Sequence, residues 1–324
     1  MHVLIVKTSS LGDLVHALPA ITDAQRARPD VRFDWLSEKA FAEIPTWHPA
    51  VKRVIVCEMR RWRKNLWQTW RGGEWQVFKK ALREVSYDLV LDAQGLFKSA
   101  FLASLARGTH AGHAREKAAA LFYERSIPIP RDDHAVDRQR DLFAQALGYV
   151  RPATAPDFGL DRSSFTKPEL PQPYAVFLHA TTWPTKCWPE SHWQQLGRWF
   201  VEQNVTVALP WGNEAERVVA QRIAADFGGV VLPRMNLTAV AGVLAHAKVV
   251  VGVDTGLAHL AAAVNTPSVT LYGPTLPGLT GTLGPNQFHL CSTDAVTVDR
   301  HRRNDILPMR VIEVLQPMLH GKVE

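Results

Sequence analysis

The chain is poor in cysteine: 324 residues hold three, Cys57, Cys187 and Cys291. They are odd in number, far apart and in no Cys-x-x-Cys spacing, which argues against a disulfide framework or a thiolate zinc site. Long apolar runs are also missing. No stretch approaches the roughly 18 apolar residues of a membrane span. The first run, Val3–Val6, is ended by Lys7, short of a signal-peptide core. The expectation is a reduced, cytoplasmic protein. Low-complexity tracts and solenoid repeats are absent. Hydrophobic residues at 46% and charged residues at 21% exclude a disordered, collagen-like or coiled-coil chain. At roughly 100–200 residues per domain, the length predicts two domains.

Several catalytic signatures are missing as well. No Gly-x-Ser-x-Gly marks a hydrolase, and no Asp-x-Asp follows an apolar strand. Asp157-Phe158-Gly159 spells a kinase triplet but has no Gly-rich loop or His-Arg-Asp partner.

Charge is present and unevenly spread. The net charge is +6, and residues 1–150 carry 23 basic and 17 acidic side chains. Residues 151–324 carry 14 of each. The first half is therefore expected to meet an anion: nucleic acid, a membrane surface or a phosphorylated substrate. The excess is concentrated in Lys52–Arg83, with ten basic residues, two acidic ones and Trp62, Trp67, Trp70 and Trp75 interleaved. A solvated helix face is the plain reading. Four tryptophans suit an interfacial surface better.

Apolar runs at His2–Lys7, Val31–Leu36, Arg53–Cys57 and Asp88–Asp92 read as strands, with helical spacing over Leu14–Arg28 and Leu96–Ala106. Residues 151–173 hold five prolines and read as a linker. Strands then follow at Tyr174–His179, Val205–Leu209, Val230–Leu232, Lys248–Val253 and Ser268–Tyr272. Helices are expected at Pro189–Val201, Glu214–Asp226, Leu237–Ala247, Leu257–Ala263 and Ile306–Leu319. Continuous apolar strands alternating with helices predict an α/β protein of two doubly wound parallel sheets facing a cleft. Ligands bind beyond the carboxyl ends of such strands.

Four segments are candidate sites. After the first strand, Thr8–Asp13 opens a helix. Gly12 permits close approach, and Asp13 is either a helix cap or a general base. His179–Thr182 followed by Lys186 offers two hydroxyls and an ammonium to an anionic leaving group, although a loop lysine is more often only solvated. In Val251–His259, Asp254, Thr255, Gly256 and Leu257 lie at a strand-to-helix turn whose free amides suit phosphate; it is neither Gly-x-Gly-x-x-Gly nor a P-loop. His259 faces the phosphates or is a satisfied core histidine. The basic, Trp-rich segment is the fourth.

Together these segments resemble a known family. VLIVKTSSLGDLVHALPA (Val3–Ala20), RFDWLSEKAFAEIPTWHPAV (Arg32–Val51), RRWRK (Arg60–Lys64) and DAQGLFKSA (Asp92–Ala100) occur in the first half. FLHATT (Phe177–Thr182), LPWG (Leu209–Gly212), VVGVDTGLAHLAAA (Val250–Ala263) and LYGPTLPGL (Leu271–Leu279) occur in the second. In this order they are similar to the bacterial lipopolysaccharide heptosyltransferases, GT-B enzymes of glycosyltransferase family 9. They are most similar to the type that adds the first heptose. The loop departs from the family pattern at Trp183-Pro184.

The resemblance implies inverting, metal-independent transfer of L-glycero-D-manno-heptose from ADP-heptose to the first Kdo of Kdo2-lipid A. No cofactor and no nucleic acid are expected, and the site of action is the cytoplasmic face of the inner membrane. Residues 1–150 would bind acceptor and 174–305 ADP-heptose. Residues 306–324 form a terminal helix, with a return to the first domain left open. Asp13 would be the base and Lys186 would stabilise the leaving diphosphate. Thr181, Thr182, Glu216 (rather than Glu214), Met235, Asp254, Thr255, Gly256, Leu257 and His259 would hold the donor. Ser10, Gly12, Arg60, Arg61, Arg63, Lys64, Gln94, Lys98 and Arg115 would hold the acceptor's phosphates and carboxylates. Another core heptosyltransferase of the family is one alternative. A polyanion- or membrane-binding module without catalysis is a second, from another class.

Overall fold

The computed structural model describes every residue except 65–66, 68–70, 293–298, 300, 302 and 321–324. Trp70 therefore lies outside the described residues. The chain divides into two compact units, Met1–Gly159 and Leu160–Glu324, within the proline-rich stretch. Residues before the boundary are tied to the first unit. Arg140 donates to the carbonyls of Pro152 (3.1 Å) and Thr154 (3.0 Å), and Arg26 pairs with Asp157. Residues after it are tied to the second: a His246 ring nitrogen lies 2.9 Å from the Phe165 carbonyl.

The first unit holds β1 (His2–Val6), β2 (Arg32–Glu38), β3 (Val51–Cys57), β4 (Ser86–Asp92), β5 (Arg107–Gly112) and β6 (Arg125–Ser126). Their order is β3-β2-β1-β4-β5-β6, and every pairing is parallel. The central runs of β1 and β4 are buried, as a parallel sheet covered on both faces requires. The helical stretch expected from Leu14 to Arg28 is two helices, Leu11–Val15 and Leu18–Ala27. Pro19 stands in the first turn of the second, where a missing N–H leaves no bond unmade. Against that helix packs another, Ala135–Leu147, absent from the sequence reading. Between them Arg140 Nε meets Asp23 Oδ2 at 2.6 Å, both side chains almost fully buried. Breaking such a pair from one side costs about 3–5 kcal/mol.

The second unit holds β7 (Tyr174–Leu178), β8 (Thr206–Leu209), β9 (Val230–Val231), β10 (Val249–Val253), β11 (Ser268–Tyr272) and β12 (Gln287–Cys291). Their order is β12-β11-β10-β7-β8-β9, again all parallel. Counted within the unit, this is the first unit's order read from the other edge. Its core joins Phe177, Trp193 and Phe200 to Val311, Ile312 and Leu315 of the helix Pro308–Leu319. The apolar face of that terminal helix is thus committed to the second unit. β5, β6 and β12 are further elements the sequence reading lacked.

In both sheets the strand order reverses beside the first strand, between β1 and β4 and between β7 and β10. Connections leave these neighbours in opposite directions, so a crevice opens at their carboxyl ends.

Candidate functional site

In the first unit the crevice is walled by the loops after β1 and β4. Lys7 Nζ donates to the Ala93 carbonyl (2.8 Å), and the Thr8 N–H and hydroxyl both donate to Gln94 Oε1 (2.8 Å each). Beneath them Asp92 accepts from the Gln94 and Gly95 amides (2.9 and 3.0 Å) and from the Ser99 and Tyr123 hydroxyls (2.8 and 2.7 Å). Burial pushes the Asp92 carboxyl up against those bonds. Gly95 has φ +74°, and a Cβ there would lie 2.0 Å from the His113 carbonyl oxygen. Only glycine fits, and its carbonyl accepts the Arg115 and Glu116 amides (2.9 and 3.1 Å).

Ser10 starts the helix Leu11–Val15, with Gly12 buried inside it. The Ser10 N–H and hydroxyl both donate to Asp13 Oδ2, at 2.9 and 2.7 Å. Asp13 therefore does take part in a cap, as the third helical residue rather than as the cap itself. Burial pulls its carboxyl upward. The Lys7 charge, the two Ser10 hydrogen bonds and Arg115 outweigh burial and hold it below the usual carboxylate range. Burial also lowers Lys7, aided by Arg115 and Arg138 and opposed by Asp13 and Asp92.

Asp13 shares a pocket wall with Lys7, His16, Gln94, Arg115 and Arg138. Burial and Arg115 both lower Arg138. His113 and Gln139 complete the lining, and Gln139 donates to the Ala93 carbonyl (3.2 Å). His16, His113, Arg138 and Gln139 were not singled out from the sequence. They lie on elements far apart in the chain, and two ride on the helix that was missed.

The basic segment stands two strands away, beyond β3, about 10 Å along the sheet at normal strand spacing. Arg61 is tied to Glu58 (2.7 Å) and to Glu74. The Arg60 guanidinium lies 5.5 Å from the centre of the Phe41 ring. Arg63, Lys64 and Lys98 are exposed. Trp62 corrects an expectation: it is a core residue, packed on Trp75 and Phe78, because its indole supplies the apolar bulk under the edge of the sheet.

In the second unit the loops after β7, β10 and β11 meet on Asp254. Lys186 Nζ lies 2.6 Å from Asp254 Oδ2, and the Thr275 hydroxyl donates to the same oxygen (2.8 Å). Thr181 Oγ1 donates to the Asp254 carbonyl (3.4 Å), and His259 Nε2 stands 4.0 Å from Oδ1. The Trp183 ring, at the family departure, lies under the Lys186 ammonium at 4.7 Å. Thr275 is a new member of the site. Thr255 stands at the N-cap position of the helix Gly256–Ala263 without a side-chain capping bond, and the Gly256 and Leu257 amides open the helix. Thr182 is exposed. In the first turn of the helix Glu214–Ala225, Glu216 accepts from the Gly212 amide and the Asn213 side chain (2.7 Å each). Its carbonyl lies 3.1 Å from His179 Nε2. Glu214 instead faces Arg217 (2.5 Å). Met235 lies on the loop after β9. The structure thus gathers Thr181, Lys186, Asp254 and His259 at one crevice, with Glu216 beside it.

Comparison with known proteins bears on the family and the fold. Residues 75–309 match the model of glycosyltransferase family 9 (heptosyltransferase). Lipopolysaccharide heptosyltransferase 1 of Pseudomonas aeruginosa is 54% identical over 298 residues, covering 90% of this chain and 84% of that one. The solved E. coli heptosyltransferase WaaC with ADP superposes with a TM-score of 0.91 at 45% identity, covering 98% of this chain and 100% of that one. WaaC with ADP-2-deoxy-2-fluoro heptose gives 0.87 at the same identity, covering 98% and 99%. Two doubly wound units of the GT-B type, each with its crevice at the strand reversal, and a family match across most of the chain lead to one assignment: this protein belongs to glycosyltransferase family 9, the heptosyltransferases.

Proposed function

We propose that the protein transfers L-glycero-D-manno-heptose from ADP-heptose to the first Kdo of Kdo2-lipid A, with inversion and without a metal ion. The observation that carries this reading is the Asp13 pocket. An ionised carboxylate with one oxygen engaged by Ser10 sits among Lys7, Arg115 and Arg138. That combination suits an acceptor bearing both a reacting hydroxyl and a carboxylate. The arginines would hold the Kdo carboxylate, and Asp13 Oδ1 would accept the hydroxyl proton.

The acceptor oxygen forms its bond to the anomeric carbon as the bond to the diphosphate breaks, and the electron pair leaves on the β-phosphate oxygen. Lys186, Thr181, Thr182 and the Thr255–Leu257 turn would take up that charge. Glu216 would hold the ribose hydroxyls and Met235 would border the adenine. Asp254, already engaged by Lys186 and Thr275, would orient the ammonium as well as the heptose. A carboxylate held below its usual range is a weak base, which fits proton transfer late in an oxocarbenium-like transition state. Arg60, Arg61, Arg63, Lys64 and Lys98, further along the rim, would meet the lipid A phosphates. Action at the cytoplasmic face of the inner membrane follows from that acceptor.

Transfer assays with Kdo2-lipid A, with and without a first heptose, test the reading. Turnover is expected only on the heptose-free acceptor, with the product anomer opposite to the donor's and no loss in EDTA. Asp13→Asn should lower kcat by about a thousandfold while ADP-heptose still binds. Full turnover by that variant, or preference for a heptosylated acceptor, would sink the proposal.

A further inference from the structure

The chain has 13 phenylalanines. Among the described residues two are exposed, Phe97 (51%) and Phe101 (37%), one turn apart on the helix Phe97–Ala103. They belong to a continuous row. The Phe122 ring meets Phe97 at 5.6 Å and Phe101 at 6.5 Å, and Phe101 lies parallel to Trp75 at 6.5 Å. Trp75 then continues inward to Trp62 and Phe78. Leu121, next to Phe122, is 85% exposed. Single exposed apolar residues are ordinary, but a contiguous ridge anchored in the core marks a contact surface.

The charges beside the ridge state its partner. Lys79 Nζ lies 6.0 Å from the Trp75 ring centre. Lys98 is exposed beside Phe97 in the chain, and Lys117 is exposed four residues before Leu121 in the same short helical segment, Lys117–Phe122. The acid among them, Glu116, uses its carboxylate to accept the Phe97 amide (2.7 Å). Glu74, beside Trp75, is paired with Arg61. Aromatic rings with flanking lysines match the headgroup region of an anionic bilayer. No helix among the described residues is long and apolar enough to cross a membrane. The ridge also borders the crevice: its helix follows Gln94–Leu96 directly, and Arg115 is bonded to Gly95.

We propose that Phe97, Phe101, Leu121 and Phe122, flanked by Lys79, Lys98 and Lys117, seat the first unit in the interface of an anionic phospholipid bilayer. This rests on the function proposed above for why such docking helps: a lipid-anchored acceptor then presents its sugar at the rim of the Asp13 pocket. Trp75 forms the joint between ridge and core.

Co-sedimentation of the full chain with phosphatidylglycerol-containing and pure phosphatidylcholine vesicles tests the surface. Wild type is expected to bind the anionic vesicles and Phe97→Ser/Leu121→Ser to bind them about tenfold more weakly. Lys79→Glu/Lys117→Glu should show a similar loss, and a thermal midpoint near wild type confirms that each variant is folded. All three proteins should transfer heptose equally to a water-soluble, deacylated acceptor. Wild-type binding that both variants retain, equal binding to neutral vesicles, or concentration-dependent self-association without vesicle binding would overturn the surface. Failure of wild type on the soluble acceptor would instead strike the proposed function, whatever the vesicles show.

Discussion

Ser10 donates two hydrogen bonds to a single oxygen of Asp13, and with Lys7 they keep that carboxyl ionised despite burial. Ser10 is thus a positioning residue. Ser10→Ala removes one of the bonds that favour the charged form, so the Asp13 pKa should rise. The acid limb of kcat/KM against pH should then move to higher pH, and Ser10→Thr should restore it. The lost hydroxyl–carboxylate hydrogen bond would cost about 1 kcal/mol of stability. On the donor side, Thr275→Val leaves Asp254 Oδ2 with one donor fewer. Steady-state kinetics should show kcat/KM for ADP-heptose falling about fivefold, the equivalent of one ordinary hydrogen bond. Asp13, Lys186 and Asp254 stood out in the sequence because each follows an apolar strand's carboxyl end by a short stretch of chain, although the choice among their roles came only from the family resemblance. His16 and Arg138 were not readable, since only the folded first unit brings them to the Asp13 pocket, and Thr275 was not, since only the folded second unit brings it to Asp254.

At the scale of elements, His48 shows how a turn is held. Its Nδ1 accepts the Ala50 amide (3.2 Å), so Nε2 carries the proton and donates to the Thr22 hydroxyl (3.0 Å). Gly159, at φ +65°, lies so close that a Cβ would come within 2.4 Å of Nε2. Burial, opposed by Asp157, pulls the His48 pKa from 6.5 to about 4. The unfolded chain therefore binds the proton more tightly than the native one. Stability from this site is complete above about pH 6.5 and declines as pH falls towards about 4, by up to about 3 kcal/mol. Urea unfolding from pH 7.5 to 4.5 should show this slope, and His48→Gln should flatten it. Gly95→Ala should damage the β4 loop more severely, because a Cβ there meets backbone that cannot yield; circular dichroism and turnover would both register it. The buried strands β1, β2, β4, β7, β10 and β11 were legible as apolar runs. β5 (RGTHAG), next to the edge, and the edge strand β12 (QFHLC) were not, because polar residues interrupt their apolar ones, and the edge strand β6 has two residues, Arg125 and Ser126, neither of them apolar. The helix Ala135–Leu147 left signals at both ends, the caps His134 and Gly148.

Across the whole molecule, the two units present different groups at their crevices. In the first unit the exposed Arg115 and the exposed cations further along the rim add to the buried Lys7, whereas the second offers the Lys186 ammonium, hydroxyls and helix-start amides. Salt screens exposed charge far more than fixed dipoles. The acceptor KM should therefore climb about tenfold between 50 and 500 mM salt, with the donor KM changing about twofold at most. The uneven charge along the chain was visible from composition; which cations line a pocket and which stand two strands away needed the fold. The strand orders carry one more consequence, for the making of the protein. Each sheet takes all six strands from one contiguous stretch of chain. β1 leaves the ribosome first yet ends in the middle of its sheet, and it gains its second neighbour only when β4 emerges. By Gly159 every partner has been synthesised. Domains generally fold as units, the N-terminal one first. The half that carries Asp13 can therefore close its sheet while the half that carries Lys186 is still being translated.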